Sequence, residues 1–291
     1  MVELARGPQG WRLGHGGDTL NTAIHLARQG LHVAYFSALG ADPFSDELRG
    51  AWQREGLATS LVLTDPDRRP GLYAIRTDAA GERSFTYWRS DSAARGMMGL
   101  PGSAAALAEV EACDLLVFSL ITLAILPPAG RERLLEACRR VRSRGDRVAF
   151  DGNYRPALWA SSAEARAARD AALAVCDIGL PTLADETALS GAATPQAVAA
   201  QWTSRGVGEV VVKLGAEGCL APDGTIVPPT DPVSVVDTSG AGDAFNGGYL
   251  AARLAGLDIH EAALAGHRLA GWVVGRPGAI PARDGAAPYA G

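Results

Sequence analysis

Lysine is all but missing from this 291-residue chain: of its 27 lysine and arginine residues, every one except Lys213 is arginine. That scarcity excludes a Walker-type phosphate loop. Such a loop needs Gly-Lys followed by Ser or Thr, and Lys213 is followed by Leu214. Val210-Val211-Val212-Lys213 resembles a protein-kinase strand only faintly, since no glycine-rich loop precedes it and no His-Arg-Asp loop follows. Cysteine is also sparse. Cys113, Cys138, Cys176 and Cys219 are well separated and form no metal-type pair, which points to small buried thiols in a reducing cytoplasm. The five histidines show no His-x-x-x-His spacing, so a zinc site is not expected. No apolar run is long enough to span a bilayer, no leader pattern opens the chain, and a net charge of −5 gives nucleic acid no footing. The arginines from Arg131 to Arg147 read as a solvated helix face without an aromatic stacking surface. The expectation is a partner that is a small molecule, with neither nucleic acid nor membrane involved.

What is present is most telling near the end. Val233 to Val236 is a β-branched run that reads as a strand. Asp237-Thr238-Ser239-Gly240-Ala241-Gly242-Asp243 follows, and Ala244, Phe245, Tyr249, Leu250, Ala252 and Leu254 then mark a helix with an apolar face. A glycine-rich turn that opens a helix leaves backbone N–H groups unpaired, with the positive end of the helix dipole behind them. It suits an anion. Asp243 lies in the first turn of that helix and has two readings: a general base, or a helix-capping side chain. The dipole and the N–H groups are expected to favour its ionised form.

Strand and helix signals alternate over most of the length. Helices are expected at Asp18 to Gln29 (stopped by Gly30), around Phe44, Leu48 and Trp52, at Arg131 to Arg144, at Ala163 to Val175, and near 241–255 and 258–274. Strands are expected at His32 to Ser37, Leu115 to Ser119, Val148 to Asp151, Asp177 to Leu180, Glu209 to Leu214 and Val233 to Val236. This alternation predicts a mainly parallel sheet flanked by helices, with ligands at the carboxyl ends of its strands. One segment departs from it. Gly71 to Arg76 and Ser84 to Arg89, joined by Asp78-Ala79-Ala80-Gly81, read as a β-hairpin inserted at about 60–95. Period-2 counting places Phe85, Tyr87 and Arg89 on one face. The whole, residues 1–291, reads as one α/β domain with a small β lid.

These features resemble the PfkB (ribokinase-like) sugar kinases. The residues that carry the resemblance are Gly16-Gly17-Asp18-Thr19-Leu20-Asn21-Thr22-Ala23 and the segment Asp237 to Phe245. Pro70-Gly71-Leu72-Tyr73, Tyr87-Trp88-Arg89 and Asp151-Gly152-Asn153-Tyr154-Arg155-Pro156 narrow it to the branch that acts on 2-keto-3-deoxygluconate. The resemblance implies a ribokinase-like fold, ATP and Mg²⁺ as cofactors, and a sugar acid phosphorylated on its C6 hydroxyl. Asp243 would be the base, and Gly240, Ala241 and Gly242 the anion hole. Gly16, Gly17, Asp18 and Asn21 would hold sugar hydroxyls. Tyr73, Tyr87, Arg89, Asn153 and Arg155 would recognise the acid. Arginine forks grip carboxylates through paired hydrogen bonds, which suits this substrate. Lys213, Gly215, Gly218 and His267 would face the nucleotide, and Glu186 would act on Mg²⁺ through water. The family's Asn-x-x-Glu pattern is altered here, with Leu183 at the Asn position. The family also opens with a strand ending in Gly-Glu before a segment like Met1-Val2-Glu3-Leu4, so such a strand is expected upstream of Met1. Alternatives are a fructokinase-like enzyme and a sugar-acid-binding protein without turnover. A dinucleotide-binding oxidoreductase is remote, because Phe245 stands where its third glycine belongs. A homo-oligomer formed through the lid is a further expectation.

Overall fold

The computed structural model describes residues 1–7, 10–77, 83–230 and 232–289. Its centre is a parallel sheet in the order Glu209–Val210, Ile178–Gly179, Arg147–Asp151, Leu115–Ser119. Val148, Ala149 and Phe150 are all fully buried. Three consecutive apolar side chains of one strand can all be covered only when helices lie on both faces. Two further parallel pairs join Val33–Ala34 to Leu57–Ala58 and Ser37–Gly40 to Val62–Asp65. The strand expected over His32 to Ser37 is thus broken in two. The one expected over Glu209 to Leu214 is also divided, since Val212–Lys213 starts a separate antiparallel sheet with Cys219–Leu220 and Ile226–Val227.

Helices form near their expected bounds, at Asp18–Arg28, Pro43–Arg54, Pro128–Ser143, Ser162–Leu173, Ala241–Leu254 and Ile259–Val274. Gly30, at φ 84°, ends the first in a conformation that side-chain-bearing residues avoid. In the second, Leu48 and Trp52 are buried but Phe44, in its first turn, is 53% exposed. Arginines of the 131–147 cluster are engaged in surface ion pairs, among them Arg131 with Glu164, Arg140 with Glu111 and Arg142 with Asp177. No helix of the described residues is long and apolar enough to cross a membrane.

The lid is larger than the expected hairpin. Leu72–Thr77 and Arg83–Trp88 pair antiparallel, and their connection, Asp78 to Gly81, lies outside the described residues. Val2–Gly7 adds parallel to Leu72–Thr77, and Gly10–His15 adds antiparallel to Val2–Gly7, giving four strands. The register sets Tyr73 opposite Tyr87 and Ile75 opposite Phe85, on the face that carries Arg89.

Two features depart further from expectation. Val233 to Val236 is no strand. Val235 and Val236 are 68% and 56% exposed, and the N–H groups of Val236 and Asp237 bond to the Val274 carbonyl at the end of a helix. β-branched residues form a strand only where they pair with an edge, and among the described residues Val233 to Val236 pair with none. Second, the Leu115–Ser119 strand has one edge with no strand partner among the described residues. Beside it lies a cavity of about 700 Å³ lined by Ala23, Leu26, Val33, Tyr35, Leu115 and Val117, among others.

Candidate active site

The Ala241–Leu254 helix starts from Gly240, whose left-handed φ of 70° needs glycine. A Cβ there would come within 2.5 Å of the Ala279 Cβ, so the turn is packed against the C-terminal segment. Asp237 ties the two together by accepting from the Ser239 N–H at 2.8 Å and the Gly278 N–H at 2.6 Å. No side chain caps this helix, and the N–H groups of Gly242 and Asp243 have no partner among the described residues. Those donors and the dipole behind them form a place for an oxyanion.

Asp243 is 9% exposed. Its Oδ2 accepts from Asn21 Nδ2 at 2.8 Å, and Thr22 Oγ1 donates to its carbonyl. It does not cap the helix. The expectation that the helix start holds it ionised is overturned: burial, then the neighbouring Asp18, push its pKa up to about 8. The Asn21 hydrogen bond and Lys213 act the other way, against a further push from Asp151. The fixed dipole is outweighed because desolvation penalises the charge wherever water is excluded.

Asp243 borders a cavity of about 550 Å³ whose walls include Gly16, Gly17, Asp18, Asn21, Tyr73, Tyr87, Arg89, Asn153, Arg155 and Gly240. These residues come from the lid sheet, the first helix, the loop after Arg147–Asp151 and the Gly240 turn. The Asp18 carboxylate accepts from Ser119 Oγ, and burial raises its pKa. Gly16 has no room for a Cβ beside the Tyr73 hydroxyl, which donates to the Glu3 carboxylate. Arg89 stacks its guanidinium 4.2 Å over the Tyr87 ring and has no ion-pair partner among the described residues. Burial lowers its pKa. Arg155 bonds to the Tyr154 carbonyl and to Asp185 at 3.3 Å. Asn153 Oδ1 is buried without a partner among the described residues.

The expected nucleotide-side residues are not gathered in this cavity. His267 is core: its Nε2 meets the Val227 carbonyl at 2.9 Å and its ring packs 5.0 Å from that of Phe245. Gly218 is a packing glycine, because a Cβ would run into the Val227 carbonyl. Gly215 opens a short turn into open space. Lys213 lies buried behind the Gly240 turn, paired with Asp151. Glu186 is fully buried in an ion pair with Arg169 at 2.5 Å, which removes it from the cavity.

Ser119, Glu3 and Ala279 escaped the sequence reading. Ser119 could have been found, because it ends a buried parallel strand at its carboxyl end. Nothing in the local pattern marks the other two.

The match to known proteins runs the length of the chain. The model of the pfkB family carbohydrate kinases matches residues 2–284. The chain belongs to that family. This family member is 44% identical, over 98% of its length and 95% of the relative's, to 2-dehydro-3-deoxygluconokinase of Escherichia coli (strain K12). It is 39% identical to the Haemophilus influenzae protein of the same name, over 96% of this chain and 92% of the other. Among solved structures, a PfkB protein from Polaromonas sp. JS666 superposes with a TM-score of 0.82 at 30% identity, over 93% of this chain and 91% of that one. The Thermotoga maritima 2-dehydro-3-deoxygluconokinase shares the fold, with a TM-score of 0.84 at 21% identity, covering 97% and 93%.

Proposed function

We propose that this kinase transfers the γ-phosphoryl group of ATP to the C6 hydroxyl of 2-keto-3-deoxygluconate, the compound also called 2-dehydro-3-deoxygluconate. The observation that carries the proposal is Arg89, a half-buried guanidinium with no ion-pair partner among the described residues, which shares a cavity with Asp243. A cation held out of water in this way favours a ligand that brings an anion. The names of the E. coli and H. influenzae relatives agree with a sugar acid.

In this reading Arg89 and Arg155 hold the substrate carboxylate, and Tyr87 lies beneath Arg89. Asp18, Asn21 and Asn153 take sugar hydroxyls; the unpartnered Asn153 Oδ1 is an acceptor awaiting one. Asp243 accepts the C6 hydroxyl proton as that oxygen attacks phosphorus, and the bond to the bridging oxygen of ADP breaks. The turn from Gly240 to Gly242 holds the transferred oxygens, and no covalent intermediate is needed. Magnesium would neutralise charge on the phosphate oxygens. Among the described residues no group of three or more His, Cys, Asp or Glu could hold a metal. The proposal includes a single domain closed by the lid and action in the cytoplasm. It also includes a homodimer through the lid's outer face, where Trp11 and Trp88 are 49% and 58% exposed.

The test is ADP release with Mg-ATP and 2-keto-3-deoxygluconate, with fructose and ribose in parallel, for the native chain and for Arg89→Ala. Turnover confined to the sugar acid is expected, with KM for it raised at least tenfold in the variant. Equal turnover on fructose, or an unchanged KM, would refute the substrate assignment.

A further inference from the structure

Helical spacing puts Asp18, Asn21, Thr22, His25 and Arg28 on one side of the Asp18–Arg28 helix. Asp18 lines the active cavity, and Asn21 and Thr22 hold Asp243 at its carboxylate and its carbonyl. One turn further on, His25 is fully buried against the Ala241–Leu254 helix, where Gly247 has no room for a Cβ beside it. Its Nε2 lies 3.1 Å from the Ala279 carbonyl and its Nδ1 2.8 Å from the Tyr289 hydroxyl. A carbonyl only accepts, so Nε2 carries the hydrogen and Nδ1 accepts from Tyr289. Burial, then the nearby Arg28, push the pKa of the ring down to about 4, which leaves it neutral with a single N–H. Arg28 donates to the same Tyr289 hydroxyl at 3.3 Å and to the Pro281 carbonyl at 2.8 Å, while its other nitrogens pair with Glu55.

We propose that His25 is a positioning residue for phosphoryl transfer: it donates to the Ala279 carbonyl so that one helix holds both Asp243 and the Gly240 turn, and Tyr289 fixes its tautomer. The inference rests on the kinase reading above and adds the support behind the oxyanion site. Ala279 borders the cavity and packs against Gly240. It is held from two sides, since Asp237 binds the N–H of Gly278 just before it and His25 binds its carbonyl. The donors of the turn and the Asp243 carboxylate must keep a fixed relation to one substrate hydroxyl and one phosphoryl group. A displacement of about 1 Å can cost roughly 100-fold in rate. A rigid helix that touches Asp243 through Asn21 and Thr22, and the turn through His25 and Ala279, sets that relation.

A purely structural role, fastening the C-terminal segment, is the competing account, and paired amide variants separate the two. The amide nitrogen of Gln stands as many bonds from Cβ as Nε2 of His, and the amide oxygen of Asn as many as Nδ1. His25→Gln therefore keeps a donor for Ala279, whereas His25→Asn keeps only the acceptor for Tyr289. Melting temperature, kcat, both KM values and amide hydrogen exchange over 237–243 are measured for each. Both variants should lose similar stability. In His25→Asn, kcat should fall roughly tenfold or more with each KM within about threefold, and exchange at Gly242 and Asp243 should quicken. His25→Gln should stay within about threefold of the native kcat, with near-native exchange there. Equal kcat and equal exchange in the two variants would overturn the assignment, because a structural tie does not distinguish them. Should either variant fail to fold, Tyr289→Phe keeps the ring and its packing but frees Nδ1 to take the hydrogen. It should lower kcat about threefold or more and quicken the same exchange; native values of both would overturn the assignment as well. Absence of turnover by the native chain would sink the kinase reading, whereas the exchange measurement would still decide the role of His25.

Discussion

Asp243 is buried beside Asp18 and Asp151, and its burial first, then the charge of Asp18, governs its protonation. Its folded pKa of about 8 lies above the ordinary 3.8 of an unfolded aspartate. The folded state thus binds a proton that the unfolded state has released, throughout the interval between the two values. The stability contributed by that proton is fully present below pH 3.8, falls as pH rises through the interval, and is gone above about 8. Asp243→Asn removes the slope. Its melting temperature should exceed that of the native chain by more at pH 8 than at pH 5, with a ceiling of about 1.4 kcal/mol per pH unit. Equal differences at the two pH values would contradict it. The same variant should keep nucleotide binding and lose roughly 100-fold or more in kcat. The native rate should also rise with pH, because only the carboxylate form accepts a proton. A flat profile of kcat/KM from pH 6 to 8 would argue against Asp243 as the base.

The glycine turn was legible in the sequence because its requirements are local: a left-handed residue, small neighbours and a helix to follow. Gly240→Ala tests that element. The substitution places a Cβ at φ 70° and against Ala279, so about 1 kcal/mol or more of destabilisation is expected, with a loss of turnover larger than the fall in melting temperature explains. A variant as stable and as active as the native chain would show that the turn has slack. Other elements were less legible for the same physical reason. The Val233 to Val236 run has strand composition, but pairing depends on a neighbour that composition does not reveal. The Val2–Gly7 and Gly10–His15 strands were missed because Glu3, Arg6 and Arg12 interrupt their apolar residues, and because Val2–Gly7, on which Gly10–His15 pairs, joins the lid through a partner about seventy residues away. Glu186 and His267 carried the right residue types for a site. What decides their roles is Arg169 in one case and Phe245 with Val227 in the other, each brought up by a different segment.

At the scale of the whole molecule, the parallel strands stand in separate groups with an apolar slot between them. The free edge of Leu115–Ser119 forms one wall, and Val33, Tyr35 and Phe36 line the other. A sheet of this kind gains stability when both its faces and its edges are covered, so an open edge beside about 700 Å³ of apolar space is a source of weakness. The slot adjoins the active cavity and shares Thr19, Tyr35, Phe36, Met97 and Thr122 with it. Met1 lines that cavity, and its amino group donates to the Gly16 carbonyl with its pKa lowered by burial to about 6. Five extended residues span about 17 Å, the length of the Leu115–Ser119 strand. A fusion that places five or six valines and isoleucines before a short turn and Met1 should therefore enter the slot. There it would bond to the free edge and bury its side chains. The expected result is a rise in melting temperature of at least 5 °C, roughly the effect of 1 to 2 kcal/mol, together with loss of hydrophobic-dye binding. A glycine-serine extension of equal length, which offers no apolar side chains, should produce neither effect. Equal behaviour of the two fusions would mean that the slot cannot admit a strand from that direction.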